Sequence, residues 1–176
     1  MKSFRSELED INNPVVAQDI LDLGNKIRLF REGKIDDDKF RSLRLLRGIY
    51  GQRQPGVQMV RIKLPFGRVS TLQIRRIADI SDEYASSNLH ATTRQDIQIH
   101  FVSLDKTPEL WTKLEEDAIT IREACGNTVR NVTASPTAGI DKNEPFDVSP
   151  YAYETFKYLL RNPVNQEMGR KFKISF

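Results

Sequence analysis

Five basic residues, Arg61, Arg94, Arg130, Lys171 and Lys173, stand in segments that can turn them toward one ligand. Lys171 and Lys173 are separated by a single residue in an extended run, so they face the same way. A guanidinium offers a planar fork of donors to an oxyanion, and an ammonium offers a movable point charge. A mixed set of both suits a small oxyanion or the carboxylates of a larger ligand. Taken singly, each is a charged residue on a strand face, which is ordinarily solvated. The lysine pair alone reads as an edge strand defended against pairing.

The elements that must position these residues can be read from periodicity. Residues 14–47 are predicted helical, with Val15, Val16, Ile20, Leu23, Ile27 and Phe30 near a 3.6-residue repeat. Gly33 marks a stop, and Asp36 to Asp38 start a second helix carrying Phe40, Leu43 and Leu46. Val57 to Leu64 reads as a strand, with Val60, Ile62 and Leu64 on one face and Met59, Arg61 and Lys63 on the other. Ser70 and Gln73 form a capping box for a helix with Leu72, Ile74, Ile77, Ala78 and Tyr84 on its apolar side. A second strand is expected near 91–102. Ile97, Ile99 and Phe101 lie on one face, and Thr92, Arg94, Asp96, Gln98 and His100 on the other. Thr107-Pro108 opens another helix. The order strand, helix, strand, helix implies an α+β or α/β sandwich. Residues 124–149 are loop-rich, which suggests a domain boundary, and Ser149-Pro150 opens a last helix. Lys171 to Phe176 reads as a strand with no turn or partner after it, so the polypeptide is expected to continue.

Composition excludes several classes. Hydrophobic residues at 39% and charged residues at 29% are those of a soluble globular protein. No apolar run approaches the roughly 20 residues of a membrane span. The segment Met1 to Glu7 turns acidic too early for a signal peptide, which points to the cytoplasm. A net charge of +3 is too mild to establish nucleic-acid binding through the basic strand faces, and against that reading Tyr and Phe are not interleaved with the basic residues as stacking platforms. The single cysteine, Cys125, can make no internal disulfide and cannot by itself hold a metal cluster. It reads as a small, partly buried thiol.

Four segments, in order, resemble the sirohaem-dependent sulfite and nitrite reductases. Gln58 to Gly67 resembles the family's Met-x-Arg-x-(Arg/Lys)-x-Pro-x-Gly strand, and His90 to His100 its Thr-Thr-Arg-Gln-x-Ile-Gln segment. Gly126 to Val132, continuing to Asp141, resembles its Gly-Asp-x-x-Arg-Asn-Val loop, and Arg170 to Lys173 its Pro-Arg-Lys-Phe-Lys strand. The resemblance implies an α+β fold: N-terminal helices (1–56), a ferredoxin-like α/β sandwich half (57–123) and the beginning of a second α+β domain (124–176). It implies that Arg61, Arg130, Lys171 and Lys173 are catalytic, binding the anion and helping to deliver protons. It implies that Thr92, Arg94, Gln95, Gln98 and Asn131 contact the sirohaem and its carboxylates.

The activity implied is six-electron reduction of sulfite or nitrite at sirohaem coupled to a [4Fe–4S] cluster, with ferredoxin or a flavoprotein as electron donor. Lys173 favours sulfite, because plant-type nitrite reductases often carry asparagine there. Three departures stand out. Gly169 replaces a proline, Asn127 replaces an acidic residue, and none of the four cluster cysteines is present. The second ferredoxin-like half is missing as well. The chain is therefore expected to need the remaining C-terminal half of the enzyme and to be inactive alone. The alternative is a stand-alone tetrapyrrole- or anion-binding module without redox catalysis.

Overall fold

The periodicity over 14–47 resolves into two helices in the computed structural model, which describes residues 13–169 and 172–176. Helix α1 (Pro14–Arg31) starts where the Asn13 side chain accepts the Val15 amide at 2.9 Å, with proline in the first turn. It buries Val16, Ile20, Leu23 and Ile27 along one stripe. Helix α2 (Asp37–Leu45) is capped by Asp36, which accepts the Lys39 amide at 2.8 Å. It buries Phe40 against the Phe30 ring, 4.2 Å between centroids.

Strands β1 (Ile49–Gly51), β2 (Val57–Ile62), β3 (Leu89–Ala91) and β4 (Ile97–Ser103) form an antiparallel sheet in the order β1-β2-β4-β3. Helices α3 (Thr71–Tyr84) and α4 (Thr107–Glu115) join α1 against it. Val60, Ile62, Ile99 and Val102 share one core with Ile77, Ile80, Leu110, Trp111, Leu114 and the α1 stripe. The capping box of Ser70 and Gln73 is present at the start of α3. The fold is therefore α+β. Gly48 lets β1 lie close: it has φ +69°, and a Cβ there would strike the carbonyl oxygens of Ile121 and Arg61.

Two expectations about the second strand are corrected. Residues 91–102 are not one strand but a turn followed by β4. The Thr92 hydroxyl accepts the amides of Arg94 and Asp96 at 3.2 Å each, and Thr92 N–H donates to Asp96 O at 2.9 Å. With Gln95 at φ +59°, this closes a tight reversal that lifts Arg94, Gln95 and Asp96 out of strand alternation. Phe101, expected on the apolar face, is 45% exposed. The pairing slips between Gln58 and Val60, and Phe101 is in the left-handed region at φ +66°. The resulting bulge turns Phe101 outward and Val102 inward.

Beyond α4, residues 120–134 form no helix and pair only through isolated bridges, Thr120 with Lys63 and Thr133 with Ser175, then α5 (Ser149–Leu159) follows. Ala152, Phe156 and Leu160 pack with Phe66, Val132 and Ala134 in a second apolar cluster. Residues 172–176 run beside this segment: Thr133 N–H donates to Ile174 O at 3.2 Å and Phe176 N–H to Thr133 O at 2.9 Å. Among the described residues of this last stretch the strand expected from the sequence is reduced to one parallel bridge, Thr133 with Ser175. No helix among the described residues is long and apolar enough to cross a membrane.

Buried charges join the two clusters. Lys63, directly after β2, is 3% exposed, and Glu123 is 1% exposed. Their charged atoms lie 3.8 Å apart. Lys63 Nζ donates to Val129 O at 3.0 Å and lies 5.5 Å from the centre of the Phe156 ring. Glu123 accepts the Arg161 amide at 2.9 Å and Gln166 Nε2 at 2.8 Å. Asp19 of α1 pairs with Arg47, Arg122 and Arg161 at 3.0, 3.2 and 2.6 Å. Removing one member of a buried pair leaves the other uncompensated, whereas removing both is often close to neutral. Glu123→Gln is therefore expected to lower stability in urea unfolding by about 3 kcal/mol. Lys63→Met combined with Glu123→Gln should recover part of that loss. Additive losses in the double variant would refute this coupling.

Candidate functional site

The register of β2 on β4 sets Arg61 directly opposite Gln98. With the Gln98 amide oxygen facing Arg61, it accepts from Arg61 Nε at 3.1 Å, and its nitrogen donates to His100 Nε2 at 3.3 Å. That bond needs a neutral His100, and burial, with His90 nearby, holds its pKa below the usual imidazole value. Arg94 leaves the turn after β3 and reaches across the fold. Its Nη2 donates to Asn131 O and, at 3.0 Å, to Ile174 O. Arg130 Nη1 donates to Ala124 O at 3.1 Å, and the Arg130 amide to Phe172 O at 3.3 Å, which brings Lys173 alongside.

Arg61, Arg94, Arg130 and Lys173 line one cleft of about 200 Å³, together with a single acid, Asp96. Three of the expected catalytic residues thus meet in it, joined by one expected cofactor contact, Arg94. The fourth expected catalytic residue, Lys171, lies outside the described residues. Asp96 is 3% exposed, and among the described residues its Oδ1 has no hydrogen-bond partner. Burial pushes its carboxyl up to about 6, against the opposing pull of Arg61, the Leu64 amide, Lys63 and Arg94. Arg94 Nε is likewise buried without a partner among the described residues. Burial pulls the Arg94 guanidinium below its ordinary pKa, opposed by Asp96 and reinforced by Arg130. Cys125 is 2% exposed, and burial raises its thiol despite Arg61 and Arg130. It is a packed thiol, as expected.

The other expected cofactor contacts are placed differently. Thr92 and Gln95 line a second, larger cavity of about 730 Å³ beside the cleft. Gln95 also holds the Ala134 backbone from both sides, donating to its carbonyl at 2.7 Å and accepting its amide at 3.2 Å. Gly67, at φ +70°, makes room for it, since a Cβ there would come within 2.9 Å of Gln95 Cβ. Gln98 stands behind Arg61. Asn131 is 1% exposed and donates to Leu64 O at 2.6 Å and Arg94 O at 3.0 Å, tying the turn to the end of β2.

Sequence reasoning missed Asp96 as a member of the site and Lys63 as a buried charge. A lone acid within a run of anion-binding residues was the available signal for Asp96. Nothing local distinguishes Lys63 from a solvated lysine.

Residues 50–117 match the nitrite/sulfite reductase ferredoxin-like half domain. The assimilatory ferredoxin-dependent nitrite reductase of Haloferax mediterranei is 34% identical over 140 residues, which cover 73% of this chain and 24% of the relative. A ferredoxin sulfite reductase of Mycolicibacterium paratuberculosis is 29% identical over 143 residues, covering 72% of this chain and 26% of the relative. The chain thus spans about a quarter of the length of these curated relatives. The fold is similar to that of the Mycobacterium tuberculosis NirA protein, with a TM-score of 0.76 at 24% identity, over 91% of this chain and 34% of that one.

The burial of Asp96 has a consequence for stability. Its folded value of about 6 exceeds the ordinary carboxyl value of 3.8, so the fold favours the neutral acid. The stability this contributes is complete below the unfolded value and is lost as pH rises through about 6. Asp96→Asn keeps a neutral group at all pH values. It is expected to exceed the native chain in stability by roughly 3 kcal/mol near pH 8, the gap narrowing toward about pH 4. Chemical denaturation across that range measures it, and a pH-independent difference would contradict the assignment.

Proposed function

We propose that this chain, whose residues 50–117 match the nitrite/sulfite reductase ferredoxin-like half domain, forms the anion-binding wall of a sirohaem-dependent enzyme reducing sulfite or nitrite. The observation that supports this best is convergence. Arg61, Arg94, Arg130 and Lys173 come from four separated segments and line one cleft of about 200 Å³. A cleft of that size suits a small oxyanion rather than an organic substrate.

The residues fit an anionic macrocycle as well as a small anion. Buried Arg94 Nε lacks a partner among the described residues, and the donors around it are cationic or amide groups. Arg94, Thr92 and Gln95 would hold sirohaem and its carboxylates, with Asn131 acting through Arg94 and Gln98 through Arg61. Sirohaem, coupled to a [4Fe–4S] cluster, would pass to the bound anion, in successive steps, the six electrons that the external donor delivers. The only cysteine here is Cys125, so the cluster ligands would come from residues outside this chain, and the chain would be inactive by itself.

The chain's own part is electrostatic and positional. Arg61, Arg130 and Lys173, with Lys171, would bind the anion and neutralise its charge. Their N–H groups would also hold protons within reach of its oxygens. Gln98 keeps Arg61 aimed by accepting from Nε. The names of two relatives carry ferredoxin, and ferredoxin is the electron donor proposed for this chain too.

The test uses the loaded full-length enzyme. Lys171→Met and Lys173→Met should each lower turnover by roughly 10²-fold. The haem absorbance should stay intact. Unchanged turnover in both variants would remove the role assigned to the lysines, and loss of haem would reassign them to cofactor binding.

A further inference from the structure

The basic cleft and the larger cavity share one lining residue, Asp96. Asp96 therefore stands in the wall between a small cationic pocket and a larger cavity of about 730 Å³. The residue is 3% exposed, and among the described residues its Oδ1 has no donor. A buried carboxylate oxygen with no donor is costly, whereas a protonated one can itself donate a hydrogen bond. The charges facing it come from every neighbouring element. They are Arg61 at the end of β2 and Lys63 just after it, Arg94 in its own turn, and Arg130 and the neutral Cys125 thiol from the 124–134 segment. Lys173 lines the same cleft.

We propose that Asp96 takes up a proton from the larger cavity when an anion enters the basic cleft, so that anion and proton are loaded together. The inference rests on the reading of the cleft as an oxyanion site. An anion placed among Arg61, Arg94, Arg130 and Lys173 takes over the positive charge that otherwise favours the Asp96 carboxylate. It also adds a like charge beside that carboxylate and excludes water from it. All three changes favour the neutral acid. By linkage, the anion must then bind more tightly as pH falls through the range in which Asp96 titrates. The bookkeeping of the step is simple: one proton moves from solvent to a carboxylate oxygen, no covalent bond to the anion forms, and the neutral acid points a donor at the ligand. The need for this arrangement follows from the reaction class, since reducing an oxyanion's central atom to its hydride and releasing its oxygens as water consumes protons along with electrons.

The experiment is a carbon-detected NMR titration of the Asp96 carboxyl in the 176-residue chain, assigned through its own backbone and repeated with saturating nitrite. Nitrite does not titrate in the range of interest, and the cofactors are not needed. Failure of the reductase reading therefore leaves this measurement interpretable. The side-chain Nε signals of Arg61 and Arg130 report separately whether nitrite occupies the cleft. The expected result is a midpoint near 6 that rises by about one unit with nitrite. In Asp96→Asn, nitrite affinity followed at the same arginine signals should lose its dependence on pH. A midpoint near the ordinary value of about 3.9 would overturn the proposal. So would a midpoint that does not rise while the arginine signals move, or arginine signals that never respond to nitrite.

Discussion

The buried contact between Lys63 and Glu123 is the constraint on which the rest of the site depends. A lysine that ends a strand would ordinarily reach for water. Here it turns inward, donates to Val129 O and lies 3.8 Å from Glu123. Glu123 in turn gathers the Arg161 amide and Gln166, and its own amide donates to Leu46 O at 2.7 Å. One buried charge pair thus binds the end of the sheet, the 120–134 segment and the residues after α5. Two apolar clusters become one body, and the carbonyls that receive the cleft's arginines are placed.

Arginines of this chain meet two fates, and the contrast identifies the site. Arg47, Arg122 and Arg161 surround Asp19 and pair with it, while Asp22 also pairs with Arg47 and Glu123 with Arg122, which makes them structural. The hydrogen bonds of Arg61, Arg94 and Arg130 go to uncharged groups: the Gln98 amide and the carbonyls of Asn131, Ile174 and Ala124. Carbonyl oxygens fix the direction of a guanidinium without cancelling its charge. The cleft therefore keeps a positive potential in a partly desolvated setting, where charge interactions are stronger than in water. Asp96 is set among these cations, and burial pushes its carboxyl up to about 6, toward neutral pH.

The turn at 92–96 shows how local chemistry and long-range contact combine. Thr92 closes it through its own hydroxyl, a bond that any Thr two residues before an amide can make. What the turn then does depends on partners far away in sequence. Arg94 reaches Asn131 and Ile174, and Gln95 grips Ala134. Without those partners, the same turn would present an arginine and a glutamine to solvent.

Local signals were enough to identify α1, α2, α3 and α5. Asn13, Asp36 and Ser70 cap their helices through side chains within three residues, and the apolar stripe of α1 recurs at helical spacing. The basic residues and their segments were also legible, because residue types and short spacings are properties of the chain itself. The single strand expected over 91–102 failed because alternation continues on paper through a turn and a bulge that only backbone pairing reveals. Tertiary structure alone decided that Lys63 is buried, that Asp96 is enclosed among cations, and that Arg47 and Arg130 differ in role. The physical reason is desolvation: a charged group's behaviour is set by the dielectric and partners around it, and those come from segments tens of residues away.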